Sequence, residues 1–169
     1  MIAELLVLVA LPVLMAAAAG WDLASFTIPN FLTAALLALF AVFVFAAGLS
    51  LAAIGWHLAA GLAGLVLGFA LFAFGYVGGG DAKLFAATAL WLGFRDLVPY
   101  ALVASLCGGA LTFLILVLRR CPLPQLFFRH AWIVKLHDAG SGIPYGVALA
   151  AGVFILLPST EIFRLAAQA

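Results

Sequence analysis

Six stretches of this chain carry no Asp, Glu, Lys, Arg, His, Asn or Gln: Leu5–Trp21, Phe31–Trp56, Leu58–Gly80, Leu84–Phe94, Leu97–Leu118 and Ala139–Thr160. Five of them reach or approach the roughly 20 residues that a helix needs to cross the ~30 Å hydrocarbon core of a bilayer. Of the 169 residues, 69% are hydrophobic and 8% charged, whereas soluble domains carry about 25% charged residues. A soluble core of this length cannot hide so much apolar surface. The chain therefore reads as an all-α integral membrane protein of about six transmembrane helices, in a single polytopic domain over 1–169. The fourth stretch has only eleven residues, about 16 Å of helix. It has to extend back through Asp81 and Lys83 or forward past Arg95 and Asp96, and either way charge comes close to the apolar zone. The first stretch is expected to be a retained span, not a cleaved signal peptide: it is long, and it begins with Glu4 where a basic region would stand.

Six spans place the loops after the first, third and fifth on one side. That side receives Lys83, Arg119, Arg120, Arg129 and Lys135, and the other receives Arg95 and Arg164. The excess assigns the first side to the cytoplasm and both termini to the outside. Arg119–Gly142 is the one sizeable polar stretch, expected to be a cytoplasmic loop with a short amphipathic helix on the membrane surface around Leu126–Leu136. Ala60, Gly64 and Gly68 recur every four residues, a small-residue pattern that suits close helix packing. The net charge of +1 gives no argument for nucleic acid. Cys107 and Cys121 read as free thiols without metal-ligand spacing, and His57, His130 and His137 are isolated in or near loops. No metal and no cofactor are expected.

The chain has six carboxylates: Glu4, Asp22, Asp81, Asp96, Asp138 and Glu161. Glu4 and Glu161 lie near the termini, Asp96 reads as a solvated partner of Arg95 in a short loop, and Asp138 lies in a polar loop. Asp22 and Asp81 each abut an apolar span, and the alternation of sides brings both to the cytoplasmic boundary. An acid at the edge of hydrocarbon is costly and marks a candidate site. Two facing carboxyls would share a proton, so one can act as base and the other as acid. The base then activates water while the acid protonates a scissile carbonyl. The plainer reading is that both are interfacial helix caps, Asp22 ahead of Ile28-Pro29-Asn30 and Asp81 at the start of a helix.

The segment Gly78-Gly79-Gly80-Asp81-Ala82-Lys83-Leu84 resembles the GxGD motif of intramembrane aspartic peptidases, and Lys83-Leu84 is similar to its continuation in bacterial type IV prepilin peptidases. Trp21-Asp22 followed by Ile28-Pro29-Asn30 resembles the first-aspartate region of that family, and Ile143-Pro144-Tyr145-Gly146 its final span. The resemblance implies an aspartic endopeptidase that removes the leader of prepilins or pseudopilins at the cytoplasmic face of the inner membrane. Asp22 and Asp81 would be catalytic, and Gly78, Gly79, Gly80 and Lys83 would meet the substrate. For Lys83, tuning the acid, meeting an acidic substrate residue and snorkelling as an anchor all remain open. Longer family members carry an insertion with paired Cys-x-x-Cys motifs and N-methyltransferase activity. That insertion is missing here, so the chain resembles the short members linked to tight-adherence (Flp-type) pili, without zinc and without a methyl-donor site. The alternative is a non-enzymatic small membrane transporter or assembly subunit whose aspartates bind protons or cations. Such charges more often lie in mid-span, which favours the peptidase.

Overall fold

The computed structural model describes residues 1–168, in which helices are joined by short turns and loops, with no strand among the described residues. Helix α1 (Ile2–Ser25) is 24 residues long. Pro12 removes the N–H that would bond Leu8, and the helix absorbs the defect as a π turn over Leu6–Ala10. It ends where Phe26 takes the left-handed conformation (φ 59°) and returns its N–H to Asp22 O at 2.7 Å. Pro29 then precedes α2 (Asn30–Ala46), and α3 follows over Leu51–Ala73.

The division between α2 and α3 differs from the one expected at His57. Gly48 (φ 61°) lets Leu49 N–H reach back to Val44 O, and the Ser50 hydroxyl caps Ala53 N–H. These two local signals outweigh a lone histidine inside an apolar run. His57 therefore lies within α3, buried, and not in a loop. The third span also stops earlier than expected, at Ala73, which leaves a turn before Gly79.

Helix α4 covers Gly79–Arg119 but breaks at Gly93 (φ 74°, ψ 175°), giving arms 79–92 and 94–119. The arms fold back on each other. Asp81 and Ser105, 24 positions apart, line one cavity, whereas a straight helix would hold them about 36 Å apart. The rings of Phe85 and Tyr100 stack at 5.5 Å. The two arms are thus the fourth and fifth expected spans, and the fourth lengthens by extending back past Lys83 and Asp81, yet stays shorter than a full crossing. The break frees the Leu90 carbonyl, which accepts a hydrogen bond from His57 Nδ1 at 2.8 Å. Trp91 Nε1 donates to Leu36 O at 2.9 Å, tying the first arm to α2.

A short α5 (Ala131–His137) lies in the polar segment, followed by α6 (Tyr145–Leu156) and α7 (Glu161–Gln168). The expected surface helix over Leu126–Leu136 is split: a 3-10 turn over Gln125–Arg129 meets α5 at an extended His130. The final span is shorter than its apolar stretch, because Pro158 ends it in a 3-10 turn and α7 departs at 53°. Asp96 is not a solvated partner of Arg95. Its Oδ2 accepts the Glu161 N–H at 2.8 Å and so caps α7, while Arg95 faces Glu161 at 4.0 Å.

Three helices are long and apolar enough to cross a membrane, the bent α6–α7 pair would make a fourth, and α2 is a shorter apolar helix. With α4 counted as two arms, this is an all-α membrane protein of about six helices. Helix α3 packs closely on the first arm of α4. A Cβ added at Gly64 would lie 2.7 Å from Ala89 Cβ, and one at Gly68 would lie 3.0 Å from Ala82 Cα. The expectation of close packing through Ala60, Gly64 and Gly68 is met, and all three are buried. Gly93 occupies backbone space that is essentially glycine-only, and a Cβ there would approach the His57 ring to 3.3 Å. Gly93→Ala should therefore destabilise the protein by about 1–3 kcal/mol, measured as a lowered unfolding midpoint in detergent.

Candidate active site

Because α1, the first arm of α4 and α6 all have one terminus at the same end of the bundle, three sequence-distant segments meet there. Asp22 lies in the last turn of α1 and is only 4% exposed. Its Oδ2 accepts the N–H of Gly146, in the first turn of α6, at 2.7 Å. That amide is one of the donors a helix N-terminus leaves without an intrahelical partner, so the site suits an anionic acceptor. Gly146 has to be glycine for this contact: a Cβ there would sit 2.9 Å from Asp22 Oδ2 and 3.0 Å from Ile28 Cδ1.

Asp81 occupies the first turn of α4. Its Oδ2 accepts Gly78 N–H at 3.1 Å, one half of a capping box whose other half is missing because Gly78 has no side chain. The capping role open to Asp81 from the sequence is therefore present, but it uses one oxygen only. Asp81 Oδ1 is the one buried side-chain oxygen or nitrogen without a hydrogen-bond partner among the described residues. A buried acceptor in that condition is costly and needs a reason.

Asp22 and Asp81 both line two adjoining cavities. One, of about 300 Å³, is walled by Ile28, Asn30, Gly80 and Lys83; the other, of about 370 Å³, by Phe26, Gly78, Gly142 and Tyr145. Gly78 and Gly79 also line the first. Gly80 packs on the turn after α1, where a Cβ would meet Ile28 Cβ at 3.1 Å. The structure thus brings together all six candidate residues: Asp22, Gly78, Gly79, Gly80, Asp81 and Lys83. Lys83 is exposed and pairs with no acid among the described residues; its Nζ donates to Asn30 Oδ1 at 3.0 Å.

Several contributors were not singled out in the sequence. Asn30 and Gly146 belong to motifs that carried the resemblance, but only the fold shows that one holds Lys83 and the other Asp22. The 119–142 segment also reaches the site. Arg119 donates to the carbonyls of Leu136, Ser141 and Gly142 at 2.9–3.0 Å. Lys135 Nζ donates to Ser25 O at 3.1 Å and lies 4.8 Å from the centre of the Phe26 ring. A cation at the C-terminus of α1 suits the helix dipole, and it braces the left-handed turn that follows Asp22. No local sequence pattern announces a contact 110 positions away.

The model of the type IV leader peptidase family matches residues 9–113. The chain belongs to this family. The match runs from α1 into the second arm of α4, so it takes in Asp22 and the Gly78–Asp81 segment and ends before Gly146. Neither the curated proteins nor the solved structures contain a match to the chain. Membership makes the protein a leader-peptidase-type protease, and with the apolar helices a multi-pass membrane protein. Gly146→Val should push the Asp22 carboxyl off its amide. The larger side chain would also crowd Ile28, and overpacking of this kind costs about 1–3 kcal/mol, so the unfolding midpoint in detergent should fall by a corresponding amount.

Proposed function

We propose that this protein is an intramembrane aspartic endopeptidase that removes the leader of type IV, Flp-like prepilins, with Asp22 and Asp81 as its catalytic pair. The observation that carries the reading is the unpartnered, buried Asp81 Oδ1 on the wall of cavities that Asp22 shares. A water between the carboxyls can lose a proton to one of them as it attacks the scissile carbonyl. The other donates a proton to the carbonyl oxygen and completes the tetrahedral intermediate. Transfer of a proton to the leaving amine then lets the C–N bond break. Oδ2 of each aspartate is held by a backbone N–H, from Gly146 or Gly78, which orients the carboxyls and leaves their other oxygens for the reaction.

Gly78–Gly80 offer a peptide room to lie extended beside Asp81. Irregular backbone at membrane depth is tolerated where protein or water surrounds it, and the cavities supply such a place. In this reading Lys83, through Asn30, keeps the Ile28–Asn30 turn against α4 and forms part of the substrate cavity wall. The reaction needs no metal, and the chain forms a single domain that cleaves without methylating. Replacing either acid removes half of the acid–base pair. Asp22→Asn and Asp81→Asn should each abolish the mobility shift of a co-expressed prepilin while the protein remains membrane-inserted. Near-normal processing by either variant would refute the mechanism.

Lys83, Arg119 and Lys135 gather at the end of the bundle that holds the two acids. Arg95 pairs with α7 at the other end. This distribution supports a cytoplasmic active site in the inner membrane. In a protein whose Cys107 and Cys121 are replaced by serine, a cysteine at Gln125 should label only from the cytoplasm and one at Ser159 only from outside. Labelling of both from one side would remove this orientation.

A further inference from the structure

Arg119 is the last residue of α4 and forms no ion pair among the described residues. Its donors go to three backbone carbonyls instead. Nε donates to Leu136 O at 2.9 Å, and Nη2 donates to Ser141 O and Gly142 O at 3.0 Å each. Leu136 stands in the last turn of α5, where carbonyls lack intrahelical partners and a cation suits the helix dipole. Capping α5 accounts for that bond. It does not account for the other two, which reach past the tight turn that Asp138 makes with the amides of Gly140 and Ser141. One side chain thus holds both ends of the 136–142 loop.

Both ends lead to Asp22. Next to Leu136, Lys135 Nζ grips the C-terminus of the helix that carries Asp22, at Ser25 O. Beyond Gly142, the Gly146 N–H holds the Asp22 carboxyl itself at 2.7 Å. Gly142 also walls a cavity together with Asp22 and Asp81. The chain has little slack between Gly142 and Gly146. Pro144 is buried with its φ fixed at −76°, and the Tyr145 ring packs on Gly108 of the second arm. A shift of Gly142 is therefore passed on to the Gly146 amide.

We propose that Arg119 is a positioning residue for the proteolytic reaction: by clamping both ends of the 136–142 loop it sets the two grips on Asp22, that of Lys135 on the helix end and that of Gly146 on the carboxyl. The assignment rests on the peptidase reading above. Arg119 hydrogen-bonds neither acid and takes no part in proton transfer. Its rigid fork of donors lets one side chain serve carbonyls on both sides of the loop. The single ammonium of a lysine keeps the cap of α5 and the charge at this end of the bundle, but it does not span both sides.

The test is Arg119→Lys in the purified full chain, with a Flp-type prepilin as substrate. A reacting group misplaced by about 1 Å can cost about 100-fold. With Asp22 out of register, kcat should fall by at least about tenfold while KM stays the same, the mark of an interaction used only in the transition state. Amide hydrogen exchange, read by mass spectrometry, should speed up over 142–146 and stay unchanged over α1, α2 and α3. An unchanged kcat, a loss confined to KM, or unchanged exchange over 142–146 would each overturn the assignment. So would exchange that speeds up through α1, α2 and α3 as well, which would mark a general loosening of the fold. In these cases the wild-type protein still cleaves, and the peptidase reading stands. Wild-type protein that leaves the prepilin uncut would bring down that reading, and this assignment with it.

Discussion

Inside a bilayer no water is available to satisfy a backbone N–H or C=O, so every interruption of a helix needs a partner from within the protein. This constraint explains the least obvious contacts of the structure. The break at Gly93 frees the Leu90 carbonyl, and His57 answers it. Trp91 and Tyr100 spend their single polar hydrogens on the carbonyls of Leu36 and Leu149. At the opposite end, the first-turn amide of Gly146 goes to Asp22, and that of Gly78 to Asp81. The same rule therefore governs both ends of the bundle: a carbonyl is the acceptor at the Gly93 break, and a carboxylate at the helix starts near Asp22 and Asp81.

The apolar stretches made the helical membrane class legible in the sequence, because their lengths admit no soluble alternative. The clustering of Asp22, Gly78–Gly80, Asp81 and Lys83 followed from alternation of sides together with the family motifs. Helix boundaries were harder to read wherever charge was taken as the marker. His57 interrupts an apolar run chemically without interrupting the helix, whereas Gly48 and Ser50 end one helix and begin the next without a charge. Asp96 looked paired with its neighbour Arg95, yet it caps a helix that begins 65 positions later. Contacts of that separation depend on the finished packing and leave no local trace.

The site is held by elements that lie far apart in the chain. Asp22 lies in the last turn of α1, Asp81 and Gly146 in the first turns of α4 and α6, and the 119–142 segment reaches them through Lys135 and Gly142. Glycine sets the approach at each junction. Gly80 admits Ile28, Gly146 admits Asp22, and Gly108 admits the Tyr145 ring, to which a Cβ would come within 2.9 Å. These close contacts place carboxyls, turn and helix ends within one small volume, and they leave little space for any side chain at the three glycines.

The two elements that complete the site are also the short ones. At 1.5 Å per residue the first arm of α4 (79–92) is about 21 Å long, and the 12 residues of α6 are about 18 Å long. Both fall well short of a ~30 Å hydrocarbon core, whereas α1 and α3 match it. Such hydrophobic mismatch is relieved by thinning of the bilayer around the short helices. The headgroup layer is then drawn inward on the side where Asp81 and Gly146 stand. Water would then meet the two carboxyls at a dimple in the membrane, without having to enter bulk hydrocarbon.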